Sequence, residues 1–297
     1  MKISSAHSVY ALSKDNAPAA RVAAPCRLTF ETCDCFHGQI TREDQRMESL
    51  DFNRVNPATG PIFIEGAEPG DALAVHISAI RTGESGVLMT APGAGCLPDK
   101  VSGKVMICPI ADGHFSFRGK RLPLNPMIGV IGTAPAGAPV SCGVPGPHGG
   151  NMDAAVVAAG ALLHLPVFVP GGLLAMGDLH AAMGDGEVCA SGLEIAGEVD
   201  VTVSVIKGMN PPHPLLKTAD EIAFLASAKT TDEALRLSVD HMHTLLQKEI
   251  GLDADDALML MSAVGQARIC QVVDPLKTAR FCMPRSVLRT FGAPVGF

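Results

Sequence analysis

Tryptophan is absent from the 297-residue chain, tyrosine occurs once, at Tyr10, and aromatic residues make up 4% of the total. That scarcity argues against recognition by base stacking, sugar platforms or aromatic cages, all of which need several rings. Charge is thin as well: 18% of residues are charged, the net charge is -7, and Lys and Arg never cluster. A nucleic-acid partner is therefore not expected, because phosphate binding requires concentrated positive charge. No apolar run reaches the length of a membrane span, and the first residues, MKISSAHSVYALSKDNAP, lack the apolar core of a signal peptide. The expectation is a cytoplasmic protein with no membrane partner. Nine cysteines at irregular spacings then read as free thiols, not as a disulfide framework.

What is abundant is small and apolar. Hydrophobic residues make up 47% of the chain and glycine and proline are frequent, with 31 and 22 residues, enough to build a substantial core from many short elements. Alternating segments bounded by turn residues recur through the first two thirds, among them 27–34, 72–80, 105–110, 128–131 and 198–206. In the last of these Val199, Val201, Val203 and Val205 share one face and Asp200, Thr202 and Ser204 the other. The pieces 62–65 and 72–80, separated by the Pro69-Gly70-Asp71 turn, read as a β-hairpin. The Ala-rich run from Asn151 to His164 reads as a helix, with Asn151 as its N-cap and Asp153 in the first turn.

Beyond the proline-rich loop at 208–214, Thr230-x-x-Glu233 is a capping box. It opens a helix with an apolar stripe of Leu235, Val239, Met242, Leu246 and Ile250, and a second helix is expected over 255–264. The chain as a whole predicts an α+β fold: a β-rich sandwich or barrel-like part over 1–207 that carries the active site, and a smaller α+β part over 208–297 packed against it.

The stretch from Val144 to Cys189 concentrates chemistry-bearing side chains. Asp178 and His180 lie two apart at the end of an expected strand and project together. Asp185 and Glu187 repeat that spacing at the start of the next, so the two pairs can meet across the intervening turn. Imidazole and carboxylates on one surface suit a divalent cation of the zinc or manganese kind, or leave one carboxylate free as a general base. The glycine-rich approach through Gly149 and Gly150 offers backbone N–H groups for an oxyanion or carbonyl oxygen. Each residue also has a plainer reading: Asp beside Gly is a common turn, Asn151 caps a helix, His148 bonds a loop. Cys33-Asp34-Cys35 is weak as a zinc motif, and Asp34 is of more interest than its flanking thiols. His241 and His243, two apart on a helix, diverge and read as solvent-exposed. Cys189 reads as core.

Three longer motifs carry a resemblance. They are NPATGP at 56–61 with EGAEPGD at 65–71, PGPHGGNMD at 145–153, and GDLHAAMGDGEV at 177–188. On these, with weaker similarity over most of the chain, the sequence resembles the acetamidase/formamidase family of amide hydrolases, and by its short length the acetamidase branch. The resemblance implies hydrolysis of small linear amides with release of ammonia, an α+β architecture and a divalent metal near the motifs. Zinc is the first expectation, with calcium or manganese as alternatives. Asp153, Asp178 and His180, with Asp34 and His148, are the candidate ligands; Glu187 and Asp185, with Gly150 and Asn151, are the candidate catalytic groups. A homodimer or higher homo-oligomer is expected. Two rivals remain: a thiol amidase working through Cys189 or Cys142 with a histidine base, and a non-catalytic, calcium-stabilised ligand-binding or oligomeric module.

Overall fold

The computed structural model describes residues 1–292. Two large sheets share one core. The first has nine strands in the order Lys2–Ile3, Cys26–Thr32, Gly197–Ile206, Ala72–Thr82, Leu162–Pro166, Leu215–Lys217, Glu221–Ala228, Lys277–Pro284 and Gln266–Gln271. The second has eleven, and its centre is the Leu174–His180 strand, paired with Met127–Gly132, Glu194–Ile195 and Ala58–Glu65. Phe30, Leu73, Val75, Ile77, Leu163 and Val201 from the first sheet meet Ile62, Ile128, Ile131, Met176 and Leu179 from the second in a single buried cluster. Burying such apolar area contributes about 25 cal/mol per Å². The architecture is thus the expected α+β sandwich, with no closed barrel among the described residues.

The Gly197–Ile206 strand alternates as its sequence requires. Val199, Val201 and Val203 are buried, while Glu198 and Asp200 face outward and pair with Arg81 on the neighbouring Ala72–Thr82 strand. The expected hairpin between 62–65 and 72–80 does not form, because the two strands turn into different sheets. The expected helix over 151–164 is absent too. Its backbone is spent on tertiary bonds instead: Val157 O accepts Ile128 N–H, Ala161 O accepts Ile77 N–H, and Gly160 N–H donates to Ile77 O. Tertiary pairing overrides the alanine-rich propensity of this run.

The first sheet continues from Leu162–Pro166 into Leu215–Lys217 and onward, so the strands after residue 208 extend the same sheet. Two helices, Thr231–Ile250 and Ala254–Val264, cover this end over a second core that includes Phe224, Met242, Leu246, Met261 and Phe281. The capping box at Thr230 and Glu233 forms in both directions. The buried stripe runs through Ala234, Ser238, Met242 and Leu246, leaving Leu235 half-buried one position off the expected line. His241 and His243 are half-buried: His241 stacks on His213, and His243 bonds Ala254 O. All nine cysteines are free.

Candidate active site

The Leu174–His180 strand is buried along its whole length and delivers Asp178 and His180 into one polar cluster. Register places Glu194 opposite His180, with its Oε2 3.2 Å from His180 Nε2. Asp178 Oδ1 lies 3.7 Å and Asp153 Oδ1 3.8 Å from the same nitrogen. Asp153 enters from the loop after the Gly149–Asn151 strand. Glu187 comes from the turn that follows Gly184, and its Oε1 accepts Gly192 N–H at 3.1 Å. Asp274 arrives from the far end of the chain and accepts Asn151 Nδ2 at 2.9 Å.

Glycines make the convergence possible. A methyl group on Gly129 would stand 2.8 Å from Asp178 Oδ2 and closer still to Asp153 Oδ1, so these two carboxylates meet over a strand position where only hydrogen fits. A methyl on Gly192 would run into the His180 ring in the same way. The acids are also held against backbone preference: Asp153, Asp178 and Glu187 adopt φ of 39°, 54° and 47°. Left-handed conformations in residues other than glycine cost about 1 kcal/mol or more and persist where the surroundings over-determine them, as they do at functional sites.

The electrostatics are those of a deep anionic pocket. Burial, followed by the neighbouring Glu187 and Asp274 carboxylates, raises the Asp153 pKa well above its ordinary value, and burial next to Glu187 does the same to Asp274. Burial likewise raises Glu194. Asp178 is lowered: burial opposes its charge, but the His180 ring together with hydrogen bonding to Glu194 and Cys35 outweighs it. His180 is raised, against burial, by Glu194 and Asp178. Glu187 is pushed up to about 7, first by burial and then by Asp178.

Buried acids in this number leave polar atoms without protein partners among the described residues: both oxygens of Asp153, Oδ1 of Asp178, Oε2 of Glu194 and Nε2 of His180. Orphaned buried groups are rare, and each costs about 1–3 kcal/mol, more when charged. Two groups of residues could each hold a cation, with the ligand atoms inside each group within 4.8 Å of one another: Asp153 with His180 and Glu187, and Cys35 with Asp178 and Glu194. His180 Nδ1 sits 3.2 Å from Met183 Sδ. A proton on Nδ1 leaves the Nε2 lone pair facing the carboxylates.

Four of the residues singled out from sequence therefore meet: Asp153, Asp178, His180 and Glu187. Asp34, His148, Asp185 and Gly150 fall outside this group, and Asn151 borders it through Asp274. Asp34 Oδ1 accepts the Phe36 and Gly38 N–H groups of its own turn, and the residue lines a cavity of about 650 Å³ with Cys33, His37 and Arg81. His148 is buried with Nε2 unpartnered and its pKa pushed down to about 4 by burial, but it belongs to neither ligand set. Asp185 turns away to Arg280. With no helix at 151, Asn151 does not cap one; it bonds Asp274 and leaves Oδ1 without a partner. Gly149 N–H donates to Gly146 O, and Gly150 sits in the ladder opposite Ile131.

Sequence alone does not point to Glu194, Asp274 or Asn56, whose Nδ2 donates to Asp178 Oδ2 at 3.1 Å, and the weak Cys33-Asp34-Cys35 motif gives Cys35 little weight. A signal for Glu194 was present: a carboxylate between Leu193 and Ile195 in an otherwise apolar run has to be buried with a purpose.

The profile of the Acetamidase/Formamidase family matches residues 12–141 and 138–289. Among solved structures, an acetamidase from Bacillus halodurans superposes with a TM-score of 0.97 at 45% identity, covering 99% of this chain and 100% of that one. A predicted acetamidase/formamidase from Thermoanaerobacter tengcongensis gives 0.95 at 48% identity, over 98% and 97% of the two chains. A formamidase of Methylophilus methylotrophus is 28% identical, the match covering 60% of this chain, and the chain spans only 58% of that relative's length.

Proposed function

The chain belongs to the acetamidase/formamidase family, and from that we propose that it hydrolyses the carbon-nitrogen bond of small linear amides, releasing ammonia and a carboxylate. A divalent cation held by His180, Asp153, Asp178 and Glu194 belongs to this reading. The observation that supports it is the set of buried, unpartnered donor atoms around His180 Nε2. An imidazole nitrogen among carboxylates, with the Cys35 thiol nearby, favours zinc over the all-oxygen surroundings that suit calcium. Such an ion supplies Lewis acidity toward water and toward an amide carbonyl.

The chain's own residues perform the proton work. Of Glu187, Asp153, Asp178 and Glu194, Glu187 has most access to water, 8% exposed against 1–2% for the other three, while the more exposed Asp274 is engaged by Asn151. One Glu187 oxygen is committed to Gly192 N–H and the other is free to accept a proton from attacking water. The same carboxyl then delivers that proton to the departing nitrogen, the usual economy of a single acid/base group. Asn151 Oδ1 stands ready to accept an N–H of the substrate amide, and Asp274 fixes its orientation.

The thiol alternative finds no support in the geometry. Cys142 is buried, bonds Val9 O and has its pKa pushed up to about 12 by burial, and Cys189 bonds Ser191 O. The deciding experiment combines metal analysis of the purified protein with ammonia release from formamide and acetamide, before and after chelation. Metal near one equivalent, turnover lost on chelation and regained with zinc, and a loss of about a hundredfold or more in Glu187→Gln are expected. Full turnover in metal-free protein refutes the reading.

A further inference from the structure

Arg280 is the largest fully buried side chain, 2% exposed, on the Lys277–Pro284 strand at the far end of the first sheet. It grips Asp185 with two parallel bonds, Nη1 to Oδ1 at 3.2 Å and Nη2 to Oδ2 at 2.9 Å, and braces itself on Ile269 O. A buried guanidinium is costly unless paired, and a forked pair fixes the orientation of its partner as well as the distance. Asp185 lies two residues from Glu187, and the link between them is tied to the same end of the sheet. Gly186 N–H donates to Cys270 O at 2.7 Å, and Val272 N–H returns a bond to Gly186 O. Glu187 itself sits in the left-handed region at φ 47°, a conformation it keeps only if its neighbours hold it.

We infer that Asp185 and Arg280 form a positioning pair that locks the 184–187 turn onto the Gln266–Gln271 strand, and so holds the Glu187 carboxylate in the polar cluster. Asp185 is in this account not a catalytic residue; it acts through Glu187. The same strand end orders Asp274: Gln271 Oε1 accepts the N–H groups of Val273 and Asp274. The C-terminal sheet thus sets two of the cluster's carboxylates from one side. In its effect on turnover the inference rests on the amidase reading given above.

Arg280→Met and Asp185→Asn test it, alone and combined, by steady-state ammonia release and by hydrogen exchange at the Gly186 and Gly192 amides. A displacement of Glu187 on the ångström scale lowers kcat about a hundredfold with KM little changed. The double variant is no worse than either single one, because all three open the same clamp. Both amides, bonded to Cys270 O and Glu187 Oε1, exchange faster than in the wild type at a melting temperature that still leaves the protein folded. Asp185 is 41% exposed, so Arg280→Met strands no buried charge and remains informative if Asp185→Asn fails to fold. Arg280→Lys, which keeps the charge without the fork, recovers part of the rate. A kcat within threefold of wild type in Arg280→Met, or unchanged exchange at both amides, overturns the inference. If the wild type itself releases no ammonia, the amidase reading fails and the exchange measurement alone decides the clamp.

Discussion

Gly129→Ala presses on the carboxylate cluster directly, and on the backbone of the strand that carries Asp178 as well. The added methyl lands 2.8 Å from Asp178 Oδ2, and ordinary contact begins at 3.4 Å, so that oxygen must retreat by about 0.6 Å and Asp153 Oδ1 by more. Gly129 lies in the Met127–Gly132 strand and is not among the residues with positive φ, so alanine meets no penalty from φ there, although its methyl also stands 2.8 Å from the Asp178 carbonyl oxygen. The overpacking itself costs about 1–3 kcal/mol of stability, partly offset by the reduced freedom of the unfolded chain. Activity should suffer out of proportion, since displacement by about 1 Å costs a hundredfold, or about 2.7 kcal/mol of barrier. Bound metal should fall in parallel. The assay is ammonia release from acetamide with metal content and melting temperature on the same preparations, beside Gly137→Ala, where a methyl meets nothing within 4 Å. Wild-type turnover and wild-type metal content in Gly129→Ala would refute the placement of Asp153 and Asp178 as joint ligands.

Two further outcomes follow from the same arrangement. Glu194→Ala should lower metal content by at least tenfold, whereas Asp34→Ala, which only loosens the turn at 34–38, should leave it within twofold; the reverse order would shift the centre toward the 650 Å³ cavity. Acid stability reports on His164, buried beside Leu215 O, whose pKa burial, and then the Lys217 charge, push down to about 4. Because the unfolded imidazole takes its proton near pH 6.5 and the folded one only near 4, stability present above pH 6.5 is lost as pH falls through that window. The loss approaches about 1.4 kcal/mol per pH unit. His164→Gln should flatten the acid limb of urea midpoints by that slope, and superimposable limbs would show that His164 does not titrate this way.

Much of this could be read before folding. The alternating valines of 199–205, the Thr230 capping box and the strand carrying Asp178 and His180 are local patterns whose period states which side is buried. Four of the cluster's polar residues lie within 153–187 for the same reason. What escaped the sequence depends on distant partners. The 151–164 run has alanine's helix propensity and loses it to hydrogen bonds from Ile77 and Ile128. Asp185 and Glu187 look equivalent along the chain, yet a left-handed turn sends one to Arg280 and the other to His180's neighbourhood. Asp274 reaches Asn151 across 123 positions of sequence, and no spacing rule announces it.

That last distance bears on how the protein comes into being. During synthesis the strand bearing Asp178 and His180 leaves the ribosome well before the Gln266–Gln271 and Lys277–Pro284 strands, and until residues 266–284 emerge neither Asp274 nor the Arg280 grip on the 184–187 turn exists. A nascent chain therefore displays an incomplete nest of acids, with the Leu162–Pro166 strand still lacking its later neighbour Leu215–Lys217. Completion of the cluster is thereby tied to the emergence of residues 266–284.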